Sequence, residues 1–214
     1  MEIPLLFHDN CIAVCLKPAG LNSEKDMPAL LADRLRVPAV FCVHRLDRAV
    51  SGVMVYALSR ESAAELSRQM GDGRFQKEYL AAAHGTLDEK AGTLRDLLYH
   101  DRGKNKSFVV KRARAGVKEA VLDYRVLAEA EGLSLLDILL HTGRTHQIRV
   151  QLASRRHPLA GDGKYGSPRR DCPIALFSRT LGFLHPLTGE ALRFTAPVPE
   201  GFPWEIFDLY KEEQ

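Results

Sequence analysis

Short runs of apolar and β-branched residues, separated by clusters of turn-forming residues, recur along the whole chain. Runs of this kind are typical of strands. The cluster His8–Asn10 lies between the first two runs and favours a tight turn, so these runs form a predicted hairpin. The predicted strands are Leu5–Phe7, Ile12–Lys17, Gly52–Ala57, Lys77–Ala83, Lys106–Lys111, Lys118–Ala128, Leu133–His141 and Leu192–Ala196.

One segment has clear helical spacing. Ser59 is a suitable N-cap for a helix over Arg60–Met70, because its hydroxyl can accept a hydrogen bond from the first turn. Gly71–Gly73 supplies the residues that usually end a helix. The apolar face of this predicted helix consists of Ala63, Leu66 and Met70.

Two further helices are predicted with weaker signals. Thr145 can cap a helix that runs to about Arg155, and Ala29–Leu35 has the composition of a short helix. Few helices among many strands predict an α+β fold with a largely antiparallel, mixed β-sheet and flanking helices.

The size and composition are those of an ordinary globular protein. With 214 residues, 45% hydrophobic and 27% charged, the chain fits one domain over residues 1–214. No apolar run is long enough to span a membrane, and the N-terminus has no basic region of the kind that begins a signal peptide. The four cysteines lack metal-ligand spacing. We therefore expect a cytoplasmic protein that neither binds a metal nor contacts a membrane.

The net charge of +3 permits a nucleic-acid partner without requiring one. The local distribution of charge is more informative, because the segment from Arg95 to Lys118 contains eight basic residues and only two acidic ones. Such a strip suits phosphate binding, although a solvated loop face has the same composition. Its basic residues are Arg95, Arg102, Lys104, Lys106, Lys111, Arg112, Arg114 and Lys118.

The most informative short segment places one carboxylate, Asp47, between Arg45 and Arg48, just before the apolar run Val53–Ala57. This spacing predicts a loop at the start of a strand. Nearby cations favour an ionised carboxylate, which suits a nucleophile or an electrostatic anchor better than a general acid. A structural arginine–aspartate pair is the alternative on these residues alone.

Four blocks of sequence, taken together, resemble the motifs of the RluA-type pseudouridine synthases. They occur in that family's order across residues 17–166, and each block is modest support by itself. One departure is Val50, where the family usually has threonine, so a hydroxyl near the nucleophile is absent. The blocks are Lys17–Leu21, His44–Gly52, Lys77–Ala81 and the segment Gly143–Val150 with its continuation through His157–Leu159 and Gly161–Gly166.

The resemblance implies a pseudouridine synthase-like catalytic domain without an accessory N-terminal RNA-binding domain. The implied reaction isomerises a uridine of structured rRNA or tRNA to pseudouridine, with no metal or other cofactor. Asp47 is the implied nucleophile, Tyr79 the residue that stacks on the base, and Arg149 the ionic partner of Asp47. Arg45 is expected to fill the gap left by the flipped base. Further expected RNA contacts are His44, Arg48, Arg144, His146 and Gln147.

The pairing of Arg149 also follows from its position. On a helix capped by Thr145 it shares a face with Leu152, and a charge on a partly apolar face requires a partner. We expect RNA as the ligand, no obligate protein partner and a monomer.

Two other functions fit less well. A non-catalytic RNA-binding relative of such an enzyme would have no evident need for Asp47, Tyr79 and Arg149 together. A glycosidase usually needs two carboxylates about 5–10 Å apart, and the motif blocks place only one among arginines.

Overall fold

A computed structural model describes residues 3–207, in which the chain forms three α-helices and eleven strands. The helices are α1 (Asp26–Leu35), α2 (Arg60–Asp72) and α3 (Gln147–Ala153). The strands are β1 (Leu5–His8), β2 (Ile12–Lys17), β3 (Phe41–Cys42), β4 (Ser51–Ala57), β5 (Gln76–His84), β6 (Ala91–Asp101), β7 (Lys106–Val110), β8 (Val117–Ala130), β9 (Leu133–Leu140), β10 (Leu176–Leu184) and β11 (Ala191–Thr195).

The described residues divide into two compact units, residues 3–78 with 178–197, and residues 79–177 with 198–207. In the first unit the strands follow the order β1-β2-β4-β10, with β3 paired to β4 and β11 paired to β10. In the second unit the order is β5-β9-β8-β6-β7. The predicted α+β class with a mixed, mostly antiparallel sheet is confirmed. The single-domain arrangement over residues 1–214, which includes residues outside the described range, stays a prediction.

The core of the first unit lies on β2 and β4, whose apolar residues are almost completely buried. The strands pair antiparallel with Val14 opposite Val55, so the β-branched runs of the sequence face one another. The predicted hairpin around His8–Asn10 is confirmed as β1 and β2.

The helix predicted after Ser59 is confirmed as α2. The Ser59 side chain accepts a hydrogen bond from the Ser62 backbone N–H at 3.1 Å, and the helix ends at Gly73 with φ of 82°. The predicted buried face was only partly right, because Leu66 is buried together with the polar Ser62 and Gln69. The buried Gln69 amide forms hydrogen bonds in place of those it would make to water. It donates to Leu184 O at 2.9 Å and accepts from the Leu184 N–H at 2.8 Å.

Three further expectations need correction. Strand β6 was missed because its residues alternate between charged and apolar types and only Leu94 and Leu98 are buried. Strand β10 was missed because serine, arginine and glycine interrupt its apolar run. Thr145 does not cap α3; the N-cap is His146, in the left-handed region at φ of 56°. No helix within residues 3–207 is long and apolar enough to cross a membrane.

Candidate active site

Asp47 lies in the loop between β3 and β4, as predicted, and its side chain is half-buried. The loop backbone is held at several points. The Val50 N–H donates to Asp47 O at 3.0 Å, which closes the turn with the backbone alone, whatever side chain residue 50 carries. The Ser23 hydroxyl donates to Leu46 O at 3.0 Å from the buried side. These contacts fix the position of the backbone from which the Asp47 side chain extends.

The two arginines of this loop make their described contacts away from the carboxylate. Arg45 forms an ion pair with Glu24 at 3.2 Å, and both side chains are about half exposed, at 59% and 49%. The Arg48 Nε donates to Gly20 O at 2.6 Å, while the Gly20 N–H donates to Arg48 O at 2.7 Å. Arg48 therefore stabilises the loop, whereas Arg45 can leave a solvent-exposed pair at little cost.

A third cation, Lys17, was not assigned a role from the sequence. Its side chain is only 1% exposed, and its ammonium group donates to Pro18 O at 2.8 Å and to Leu21 O at 2.9 Å. Burial lowers the pKa of Lys17 to about 8, opposed by the negative charges of Asp47 and Asp26. A lysine at the end of an apolar strand was the available signal, since buried lysines are rare unless they are paired.

His44 is a neutral, half-buried hydrogen-bond acceptor. Its Nε2 accepts from the Val55 backbone N–H at 3.2 Å, so Nδ1 carries the proton, and this buried atom has no hydrogen-bond partner within residues 3–207. Burial lowers the pKa of His44 to about 3, with a further contribution from the nearby charge of Lys77. His44 therefore ties the loop to β4, and its contact with RNA stays a prediction.

Gly52 determines how the chain leaves the loop. Its φ of 132° disfavours any other residue, and a Cβ at this position would overlap the backbone of Ser178 on β10. The close approach of β4 and β10 thus requires glycine five residues after Asp47.

In the second unit, Arg149 on α3 is 5% exposed and forms a bidentate ion pair with Asp162, which is fully buried. Its Nε donates to Oδ2 at 2.6 Å and its Nη2 donates to Oδ1 at 2.9 Å. The sequence correctly predicted that Arg149 needs a carboxylate, but it did not identify Asp162. The pairing of Arg149 with Asp47 stays a prediction.

The Tyr165 ring packs against the guanidinium group of Arg149. The guanidinium carbon lies 5.2 Å from the centre of the Tyr165 ring, within the range of a cation–π contact. The Tyr165 hydroxyl accepts from the Ser107 N–H at 2.8 Å and lies 2.9 Å from His146 Nδ1. Burial raises the pKa of Tyr165. Together with Asp162, these groups form the Arg149 network: Arg149, Asp162, Tyr165, His146 and Ser107.

Gln147 is buried, and both the oxygen and the nitrogen of its amide form hydrogen bonds. Its Oε1 accepts from the Thr142 hydroxyl at 2.8 Å and from the Arg144 N–H at 3.0 Å, while its Nε2 donates to Val121 O at 3.1 Å. Gln147 and the buried His146 therefore shape the start of α3, and their contact with RNA stays a prediction. The Arg144 side chain differs, since among residues 3–207 it is hydrogen-bonded through Nε alone, to Glu119 O at 2.8 Å.

Tyr79 lies in β5 and is 6% exposed. The three alanines that follow Leu80, Ala81–Ala83, are fully buried and leave the strand without bulky side chains. Stacking of Tyr79 on the target base stays a prediction.

A possible metal-ligand group in the first unit has a structural explanation. Asp9, Cys11 and His185 each offer a ligand atom, and these atoms lie within 4.8 Å of one another. However, His185 Nδ1 accepts from the Thr188 N–H at 3.1 Å, so Nε2 carries the proton that it donates to Asp9 at 2.7 Å. A metal-bound imidazole needs its proton on the other nitrogen. The group therefore fits a hydrogen-bonded tie between two hairpin turns.

Comparison with known proteins gives consistent matches. The sequence profile of the RNA pseudouridylate synthase family matches residues 12–154. The RNA pseudouridine synthase YhcT of Bacillus subtilis is 35% identical over 92% of this chain and 69% of its own length. Ribosomal large subunit pseudouridine synthase D of Neisseria meningitidis serogroup A is 34% identical over 94% of this chain and 59% of its own length. The structure of human RNA pseudouridylate synthase domain containing 1 shares the fold, with a TM-score of 0.79 at 24% identity over 92% of this chain and 84% of that chain.

Proposed function

This chain belongs to the RluA family of RNA pseudouridine synthases, and from that premise we propose that Asp47 is the nucleophile of the isomerisation. The enzyme is an RNA pseudouridine synthase. The observation that carries the proposal is the Asp47 loop itself. Its backbone is held by Lys17, Ser23 and Arg48, while the carboxylate remains partly exposed.

The reaction conserves all atoms of the nucleotide. The bond from N1 of uracil to C1′ of the ribose breaks, the base turns, and a bond from C5 to C1′ forms. The proton on C5 leaves and N1 gains one, so no oxidant or reductant is consumed. Asp47 provides the transient covalent attachment that keeps the detached base or sugar in place, by attack on either one.

The other residues have supporting roles in this proposal. Tyr79 stacks on the uracil ring, for which about 1–3 kcal/mol per base is usual, and its hydroxyl takes part in proton transfer from C5. Arg149 pairs with the Asp47 carboxylate. His44, His146 and Gln147 either shape the site through hydrogen bonds or contact the RNA, and Arg48 holds the loop through Gly20.

The proposed substrate is a uridine in a folded RNA, either rRNA or tRNA. A paired uridine must be flipped out of its helix, and Arg45 is the proposed group that enters the gap. A planar guanidinium can stack between bases and hydrogen-bond at the same time. We further propose that the enzyme works as a monomer in the cytoplasm.

Incubation with total rRNA and tRNA from a strain that lacks the gene, followed by pseudouridine mapping, tests the function. Wild-type protein should restore one or more sites, whereas Asp47→Asn should restore none and still bind the same RNA within about threefold, because only a charge is removed. Mass spectrometry of the variant excludes deamidation. Restoration of the sites by intact Asp47→Asn would disprove the nucleophile assignment, and restoration of none by wild type would favour a non-catalytic RNA-binding protein.

A further inference from the structure

A groove of about 700 Å³ lies within the second unit, between the β6–β7 hairpin, the start of β8 and the loop before α3. Its volume is in the range of pockets that hold a ligand, about 300–1,000 Å³. Its polar and charged lining groups are His100, Asp101, Arg102, Ser107, Lys118 and Arg144.

Three of the groove residues are cations. Arg102, Lys118 and Arg144 have no carboxylate within ion-pair distance among residues 3–207. By contrast, Arg125 on β8 pairs with Asp137 at 3.3 Å, and Arg95 on β6 pairs with Glu119 at 2.7 Å. Unpaired cations along one groove favour an extended polyanion.

Asp101 is the anionic group of the lining, and it has a structural task. Its Oδ1 accepts from the Lys104 backbone N–H at 3.0 Å, which closes the turn between β6 and β7. The net charge of the groove therefore stays positive, and Asp101 is accounted for without a ligand.

His100 is a neutral acceptor in the lining of the groove. The Ser107 hydroxyl donates to Thr145 O at 2.6 Å, so its oxygen must accept the hydrogen bond from His100 Nδ1 at 3.2 Å. This contact places the proton of the neutral ring on Nδ1 and leaves Nε2 as an acceptor. No hydrogen bond to His100 Nε2 occurs among the described residues.

We propose that this groove binds the ribose–phosphate backbone of an RNA strand next to the target site, and that His100 reads its 2′-hydroxyl. Arg102, Lys118 and Arg144 contact phosphates, while His100 Nε2 accepts a hydrogen bond that DNA cannot donate. The inference rests on the proposed function for its choice of ligand. It adds a contact that distinguishes RNA from DNA at a position other than the target base.

The phosphate contacts are tested by the salt dependence of binding to a fluorescein-labelled oligouridylate. Each phosphate contact to a single strand changes the slope of log K against log salt by about 0.7. Lys118→Gln should lower the slope by about that amount and Lys118→Arg should preserve it. Arg125→Gln removes the same charge from the same strand but from a paired position, so its slope should stay that of wild type. Equal slopes for Lys118→Gln and Arg125→Gln would overturn this part.

The hydroxyl contact is tested by comparing oligouridylate with oligodeoxyuridylate at about pH 8, where an imidazole is usually neutral. Wild type should prefer the RNA strand by about two- to tenfold, the usual effect of one hydrogen bond. His100→Asn retains a donor for Ser107, but its shorter side chain places no acceptor at the position of Nε2, so the preference should disappear while the fold is kept. A preference that persists in His100→Asn, or none in wild type, would overturn the assignment.

The outcome is separable from that of the proposed function. Groove variants that bind and modify folded RNA like wild type would refute the groove and leave the isomerase function intact. Groove-dependent binding of oligouridylate without any pseudouridine formation by wild type would refute the proposed chemistry and leave the groove intact.

Discussion

The Asp47 loop of the first unit and the Arg149 network of the second are stabilised in opposite ways. In the loop, protein groups hold the backbone carbonyls of Leu46, Asp47 and Arg48, and the side chains of Arg45 and Asp47 remain partly accessible. In the network, the side chains hold one another, and Arg149 and Asp162 are buried.

This difference predicts how activity and folding respond to substitutions in each region. A loop that is fixed through its backbone tolerates a change of side chain, so substitutions there should affect activity more than folding. A buried network leaves an uncompensated charge or donor when one member is removed, so substitutions there should affect folding first.

Asp162→Ala should cost about 3–5 kcal/mol of unfolding free energy, because the buried Arg149 loses its described bidentate partner. Urea denaturation measures the loss. The control is Asp137→Ala, which removes the exposed partner of Arg125 and should cost less than about 1 kcal/mol. If the two variants lost equal amounts of unfolding free energy, the buried ion pair of the Arg149 network would not stabilise the fold more than an exposed pair does.

Tyr165→Phe keeps the ring beneath Arg149 and removes the hydroxyl that serves Ser107 and His146. We expect a loss of about 1–3 kcal/mol, because buried polar groups then lack their partner. Tyr124→Phe is the matched control, since the hydroxyl of Tyr124 has a long, exposed contact of 3.3 Å with Glu89 O and should contribute less than about 0.5 kcal/mol. A Tyr165→Phe variant as stable as the control would contradict the proposed role of the hydroxyl.

In the first unit, Lys17 is expected to affect both the free energy of unfolding and the activity. Burial lowers the pKa of Lys17 in the folded chain to about 8, below its ordinary value of 10.5, so between these values the unfolded chain binds more protons and stability rises with pH. Activity should fall over the same range, because a neutral Lys17 no longer holds the loop carbonyls with a charge.

The test compares wild type with Lys17→Met from about pH 7 to pH 10. The stability of wild type relative to the variant should increase with pH, while the activity of wild type falls and that of the variant stays low and flat. Lys90→Met, at an exposed lysine paired with Glu129, should show neither trend. A wild-type activity that does not fall above pH 8 would exclude a role for the Lys17 charge.

The smallest effect concerns Glu24→Gln, which breaks the exposed ion pair with Arg45. Stability should change by less than about 1 kcal/mol, and the single-turnover rate on folded RNA should stay equal or rise, because Arg45 is released. Arg45→Ala and Arg45→Lys should both slow the same reaction, and less so when the target uridine is mismatched. A rate that falls in Glu24→Gln as much as in Arg45→Ala would show that the pair itself is needed.

Local features of this protein were determined by the sequence. The cap and end of α2, the first hairpin, most strand positions and the loop that carries Asp47 depend on residues close together in the chain, where periodicity and turn chemistry are readable. The motif blocks identified the family for the same reason, since each block is contiguous. Even the need of Arg149 for a carboxylate followed from its place on a partly apolar helix.

Partners that are distant in sequence were decided by the tertiary structure. Nothing in the helix around Arg149 indicates Asp162, and nothing near His100 indicates that Ser107 would fix the position of its proton. Strand β6 escaped detection because pairing on both sides, and not burial of its own side chains, stabilises it. Periodicity reports which face of an element is buried, whereas ion pairs, tautomers and grooves depend on which elements the fold brings together.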